Sequence, residues 1–388
     1  GAFDLEVIDT SYASVDAGDG TPTCQSVVGL SCANTGDGAY TGPFTGPQPY
    51  YAAPPVPVGR FVPDHFAVSY NTPQFATACG AGQFTYLGQP FHYATRPVIT
   101  VTAQNAQNGT TLNYTGSLWK ITDASLAQAP YATQSQRYTL TGAPAGTTLD
   151  TGLLPPTSSD PAVVDNGNGT GTFTFSTGGV NGGLAVTRAT TPVAPFTADI
   201  GLSLNVIDAD GVTALTNPAT FNNIAFNSGA QMDYGRIALQ NAYGSELMDL
   251  AVPMTAQYYA GGNTGFLTNG DDSCTAAASL ALGAPYSGNL GAGSTCVQDS
   301  GSPGASGAGC AAPGPAGEQF KEPPASGDFN LWLKATGAGN TGSVTVTATV
   351  PTWLQFPWTG PANQNPSATA SFGLYKGARP QIYLREVY

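Results

Sequence analysis

Val163-Val164-Asp165-Asn166-Gly167-Asn168-Gly169-Thr170-Gly171-Thr172-Phe173 decides how this chain is to be read. Apolar and polar residues alternate on both sides of a run of Asn and Gly, the pattern of two half-buried strands joined by a tight turn. Its glycines and asparagines supply the positive φ angles that such turns require. We therefore read the segment as a β-hairpin.

Similar signals recur outward in both directions. Strand-like runs are expected at Phe84–Leu87, Val98–Ala103, Tyr138–Thr141, Thr172–Phe175 and Leu202–Ile207, separated by turns such as Asn108-Gly109 and Asp210-Gly211. Further on, Arg236–Gln240, Met254–Tyr259, Phe329–Lys334, Ser343–Val350, Ala370–Tyr375 and Gln381–Tyr388 read the same way. No helical period interrupts them. Many short alternating strands with Gly-rich turns predict an all-β chain of tandem immunoglobulin-like β-sandwich domains with long Gly/Pro-rich loops.

The 388 residues allow two or three domains on a prior of roughly 100–200 residues each. We expect an N-terminal strand segment with a disulfide loop at 1–39, a Pro- and aromatic-rich linker at 40–58, a sandwich at 59–230 and a second sandwich at 231–388. The last contains a long Gly/Ala/Ser loop at 284–327. Because Gly1 is not a natural initiator, the chain is expected to be a processed product or a fragment of a longer precursor. Phe3-Asp4-Leu5-Glu6-Val7 alternates strictly, so Phe3, Leu5 and Val7 are either the inward face of a first strand or the face of a strand lent to a partner.

Composition narrows the function. Charged residues are only 9% of the chain and the net charge is −13, with four lysines. A nucleic-acid binder needs a basic footprint to displace phosphate counterions, which this sequence lacks. The longest apolar run, Ala276 to Ala284, is too short to span a bilayer, so no membrane crossing is expected. Disorder loses to packing, since apolar residues are 41% and aromatics 10%, enough to build cores.

The six cysteines, Cys24, Cys32, Cys79, Cys274, Cys296 and Cys310, include no CxxC pair, which points to disulfides in an oxidising compartment rather than to zinc. Cys24 and Cys32 are expected to pair across their short loop. The other four allow three connectivities, and we favour Cys274 with Cys296.

Chemistry is sparse. His65 stands beside Asp64, and His92 is the second histidine, but no nucleophile elbow or metalloprotease helix accompanies either, so structural roles are expected and catalysis is not. Asp208 and Asp210, two residues apart before Gly211, form a candidate calcium pair. Asn269-Gly270-Asp271-Asp272-Ser273 is a second oxygen cluster. Calcium takes about six to eight oxygens, and the competing reading of both is an Asx-stabilised turn. No other cofactor is expected. Sequons at Asn108, Asn113 and Asn168 carry little weight in a chain so rich in Asn, Gly and Thr. Trp353, Phe356 and Trp358, set among prolines, are either a stacking platform for a partner or carbohydrate, or a cover on the last sandwich.

Several blocks carry a resemblance. Gly59-Arg60-Phe61-Val62-Pro63-Asp64-His65-Phe66, Phe84-Thr85-Tyr86-Leu87-Gly88-Gln89-Pro90-Phe91, Asn241-Ala242-Tyr243-Gly244-Ser245-Glu246-Leu247, Asp272-Ser273-Cys274-Thr275 and Gln381-Ile382-Tyr383-Leu384-Arg385-Glu386 resemble the C-terminal region of MshQ-like proteins. Those are large secreted proteins encoded with the mannose-sensitive haemagglutinin pilus, a type IV pilus of Gram-negative bacteria, often with a lectin-like domain upstream. The resemblance implies a secreted, cell-surface or pilus-associated adhesion or accessory protein without catalytic residues. Its partners would be other surface or pilus proteins, or a second copy. The alternative is a filament subunit joined by strand donation from the N-terminus.

Overall fold

Val98–Gln104 (VITVTAQ) buries Ile99, Val101 and Ala103 and leaves the intervening residues half-exposed, as a period of two on a pleated strand requires. This strand lies between His65–Tyr70 and Thr170–Thr174 in an antiparallel four-stranded sheet whose far edge is Ala162–Asp165. The computed structural model describes residues 62–176, 183–275, 279–298 and 324–373, with the backbone of short strands at 3–5, 33–34, 40–41, 56–58 and 318–319.

The expected hairpin is present. Val164 faces Thr172 and Asp165 faces Gly171, and the turn closes with Asn166 N–H donating to the Thr170 carbonyl at 3.0 Å. Gly167 and Gly169 adopt φ of +80° and +77°. Asp165 fixes the turn from outside, accepting from Gly167 N–H at 2.9 Å, Gly116 N–H at 2.7 Å and the Thr115 hydroxyl at 2.8 Å.

A three-stranded sheet, Tyr138–Thr141, Asp199–Leu204 and Ala219–Phe221, contributes Tyr138, Ile200, Leu202 and Phe221 to the same hydrophobic cluster as Ile99, Val101 and Phe173. A second cluster forms further along the chain. There Gly342–Thr349 buries Val344, Val346 and Ala348 in a five-stranded sheet with Ser279–Gly288, Ser367–Phe372, Ala242–Gly244 and Glu318–Gln319. Leu331–Leu333 and Met254–Tyr259, each in a three-stranded sheet, close this core. The regular structure of the described chain is thus mostly β-strand, arranged in several small sheets.

Three expectations change. Two four-residue helices, Asp123–Leu126 and Gln134–Arg137, occur where strands alone were expected. One turn is too short to show a helical period, and caps sustain it, as when Thr122 accepts from Ser125 N–H at 3.2 Å. The strand Ser279–Gly288 runs into the stretch expected to be loop from 284, its ladder with Gly342–Thr349 broken between Gly283 and Ser287 and then resumed. The Pro-rich stretch at 40–58 holds short strands at Tyr40–Thr41 and Val56–Val58, the latter antiparallel to Phe3–Leu5. Val7, Cys24, Cys32, Cys310 and the expected strand Gln381–Tyr388 lie outside the described residues.

Candidate functional site

One short segment packs in both cores. Phe84–Tyr86 pairs in parallel with Gln231–Asp233, and Phe84 and Tyr86 pack in the second core while Leu87 and Phe91 pack in the first. A tight return places Cys79 against Phe84, with Cys79 N–H donating to the Phe84 carbonyl at 3.0 Å. From there Cys79 bonds to Cys274, Cα atoms 5.7 Å apart and 195 residues apart in sequence. Cys274 is therefore not joined to Cys296, which corrects the pairing favoured from the sequence; Cys296 is itself disulfide-bonded. Proximity along the chain lowers closure entropy, but the fold brings the distant cysteine within reach.

A buried polar cluster lies beside the disulfide. The Tyr86 hydroxyl donates to Asp272 Oδ2 at 2.8 Å and accepts from Asn269 Nδ2 at 3.0 Å. Asp272 Oδ1 accepts from Cys274 N–H at 3.1 Å and Thr275 N–H at 2.9 Å, and the Thr275 hydroxyl donates to Oδ2. Burial, and then the Asp272 charge, push the Tyr86 phenol well above its ordinary value, so it remains a donor. Asp233 is buried with Gln231 Nε2 donating to it at 3.0 Å. Burial, reinforced by the charge of Asp271, pushes its carboxyl up to about 6. Cys79, Cys274 and Asp272 place ligand-type atoms within 4.8 Å of one another, but with both sulfurs in the disulfide no thiolate remains to bind a metal.

Two arginines complete the joint. Arg188 lies 4.1 Å over the Tyr234 ring, donates from Nη2 to the Gly235 carbonyl at 2.8 Å and from Nη1 to the Gln355 carbonyl. Arg236 stacks on Phe266 at 3.6 Å and on Phe356 and Trp358 at 4.8 Å each, with its Nε donating to Gln257 at 2.9 Å. One face each of Phe356 and Trp358 is thus engaged by the chain's own cation. Trp353 packs on the second core, with its Cβ 3.1 Å from where a Cβ on Gly88 would stand. All three side chains are half-buried and make contacts within the chain at the joint.

The other sequence candidates stand apart from one another. His65 is held between Asp64 Oδ2 at 2.9 Å and Gln104 Oε1 at 3.0 Å, so neither ring nitrogen faces a nucleophile. Its pKa is raised, chiefly by the hydrogen bond to Asp64. Asp208 is buried; its Oδ1 accepts from Asp210 and Val212 N–H, both at 2.9 Å, and its Oδ2 from the Tyr114 hydroxyl at 2.7 Å. That is the Asx-turn geometry, with Asp210 exposed. Tyr86, Arg188, Asp233 and Gly235 were not singled out as site residues by sequence reasoning. Their roles depend on partners up to 186 residues away, as for Tyr86 and Asp272.

Two family models match, DUF6701 third domain over residues 33–233 and DUF6701 fourth domain over residues 233–387, so the joint described above lies where they meet. No curated protein matches. Among solved structures the chain is similar to the serine-rich repeat protein Srr2 from Streptococcus agalactiae at 8% identity, covering 84% of this chain and 98% of that one. The TM-score is 0.17, which carries no argument about fold. With these two models matched in succession, the chain belongs to the DUF6701 family and carries its third and fourth domains.

Proposed function

We propose that this chain is a non-enzymatic, extracytoplasmic part of a surface or pilus-associated protein of a Gram-negative bacterium, acting in adhesion or as a pilus accessory. In this reading each hydrophobic cluster is the core of an immunoglobulin-like sandwich. The observation that carries it is the joint: a long-range disulfide, a buried tyrosine–carboxylate contact and two stacked arginines fasten two β-rich units together. Disulfides of this kind persist in oxidising compartments, and a fastened tandem suits a protein that holds rather than transforms. The resemblance of the quoted blocks to MshQ-like proteins supplies the pilus context. No described helix is long and apolar enough to cross a membrane.

Attachment is placed ahead of filament building because Phe3–Leu5, the segment a donated strand would use, pairs within the chain with Val56–Val58. The test is deletion of the gene together with immunogold labelling against residues 231–388. We expect reduced surface attachment or altered piliation, with label at the cell surface or on pili. Unchanged attachment and piliation in the deletion strain would sink the proposal, and label repeating along a fibre would favour the filament subunit.

A further inference from the structure

Cys79 and Cys274 enclose nearly everything that makes the first core and the joint. From Val62 the described chain passes through His65–Tyr70 and Gln74–Phe75 to Cys79; beyond Cys274 it continues through Ser279–Gly288, Gly342–Thr349 and Ser367–Phe372. Between the cysteines lie the hairpin, the three-stranded sheet at Tyr138–Phe221, Arg188, Tyr234 and Arg236.

We infer that the Cys79–Cys274 disulfide is a mechanical bypass, which carries tension applied to the two ends of the chain across the joint and leaves residues 80–273 off the load path. A stretched chain can lengthen only along bonds that are free to extend, and hydrogen-bonded ladders yield long before a covalent link. With the link closed, a pull leaves Cys79 and Cys274 side by side, Cα atoms 5.7 Å apart, even if the enclosed core melts. The enclosed residues keep their ends together and refold with that loop already closed. Before the pull reaches the disulfide it must peel His65–Tyr70, outside the loop, from Val98–Gln104 inside it and open the sheet of Ser279–Gly288, Gly342–Thr349 and Ser367–Phe372; from then on the enclosed residues bear none of it. Closing 195 residues hides roughly 650–700 Å of extended chain, at about 3.3–3.6 Å per residue.

This inference does not depend on the attachment reading. An unaltered deletion strain would leave it standing, and its own failure would leave that reading untouched.

Single-molecule force spectroscopy on the full chain, held by handles at its two ends, tests it. Without reductant, full extension is expected to fall short of that of the chain with the Cys79–Cys274 loop open by roughly 650–700 Å, from the per-residue length above. Dithiothreitol under load transfers two electrons and two protons to the disulfide and leaves as its cyclic disulfide. That reduction should add the missing length as a step. A Cys79→Ser/Cys274→Ser variant should show that added length from the outset, folded or not, because contour length does not depend on the fold. Equal extension of the unreduced protein and the double variant would overturn the inference. So would reduction, confirmed by alkylation of Cys79 and Cys274, that releases no such step.

Discussion

Asp233 is the residue on which the joint's acid response turns. Its carboxyl titrates at about 6 in the fold, against about 3.9 for an unfolded aspartate. The folded state therefore binds more protons between these values, and stability falls as pH rises through that window. Burying the charged form at pH 7 costs about 1–3 kcal/mol on this scale. Asp233→Asn is expected to raise the melting temperature at pH 7 and to lose most of that advantage below pH of about 4, measured by thermal melts of both proteins across pH. His65 acts in the same direction, since its raised pKa favours the fold at low pH and that contribution is lost as pH climbs through the raised value. The comparison of variant with parent isolates Asp233 from it. Tyr86→Phe is expected to destabilise by about 1–3 kcal/mol, because Asp272 and Asn269 lose a buried partner while the ring volume stays. Denaturant melts read this directly, and an unchanged midpoint would mean that the cluster contributes nothing.

At the scale of elements, what was legible was local. Val98–Gln104 and the hairpin around Gly167 could be read because period-two alternation and Asn-Gly turns are complete within about ten residues. Trp353, Phe356 and Trp358 were visible as a group by composition, but the arginine that occupies two of them comes from the strand Gly235–Leu239 and has no local signature. The one-turn helices were illegible for lack of any period. Two glycine pairs make the element account testable. Gly167→Ala and Gly169→Ala both force a side chain to positive φ, at a cost of about 1–2 kcal/mol. Only at Gly169 does the new Cβ meet the backbone, 2.3 Å from the Thr111 carbonyl oxygen. Urea melts should therefore rank Gly169→Ala clearly below Gly167→Ala. At the joint, Gly235→Ala would place a Cβ 2.3 Å from the Tyr86 ring and 2.8 Å from Leu354. We expect it to cost about 1–3 kcal/mol or more, as overpacking does, whereas Gly262→Ala meets nothing within 4 Å and carries only the backbone penalty.

At the scale of the molecule, the decisive contact was the least legible one. Cysteine spacing constrains pairing only when loops are short, and the observed bridge spans 195 residues, so nothing near either cysteine announces it. The two family matches meeting at residue 233 and the bridge across that point give the molecule its organisation: two β-rich units held by one covalent staple and a buried cluster around it. Removing the staple is expected to cost about 5 kcal/mol in the chain-entropy account of long loops, with the loss seen in the denaturant midpoint of Cys79→Ser/Cys274→Ser against the parent protein. The most direct test of this account is a peptide map of the protein digested under non-reducing conditions with free thiols blocked. A linked pair of peptides carrying Cys79 and Cys274, separating on reduction, is predicted. Cys274 found joined to Cys296, or Cys79 recovered as a blocked thiol, would contradict it.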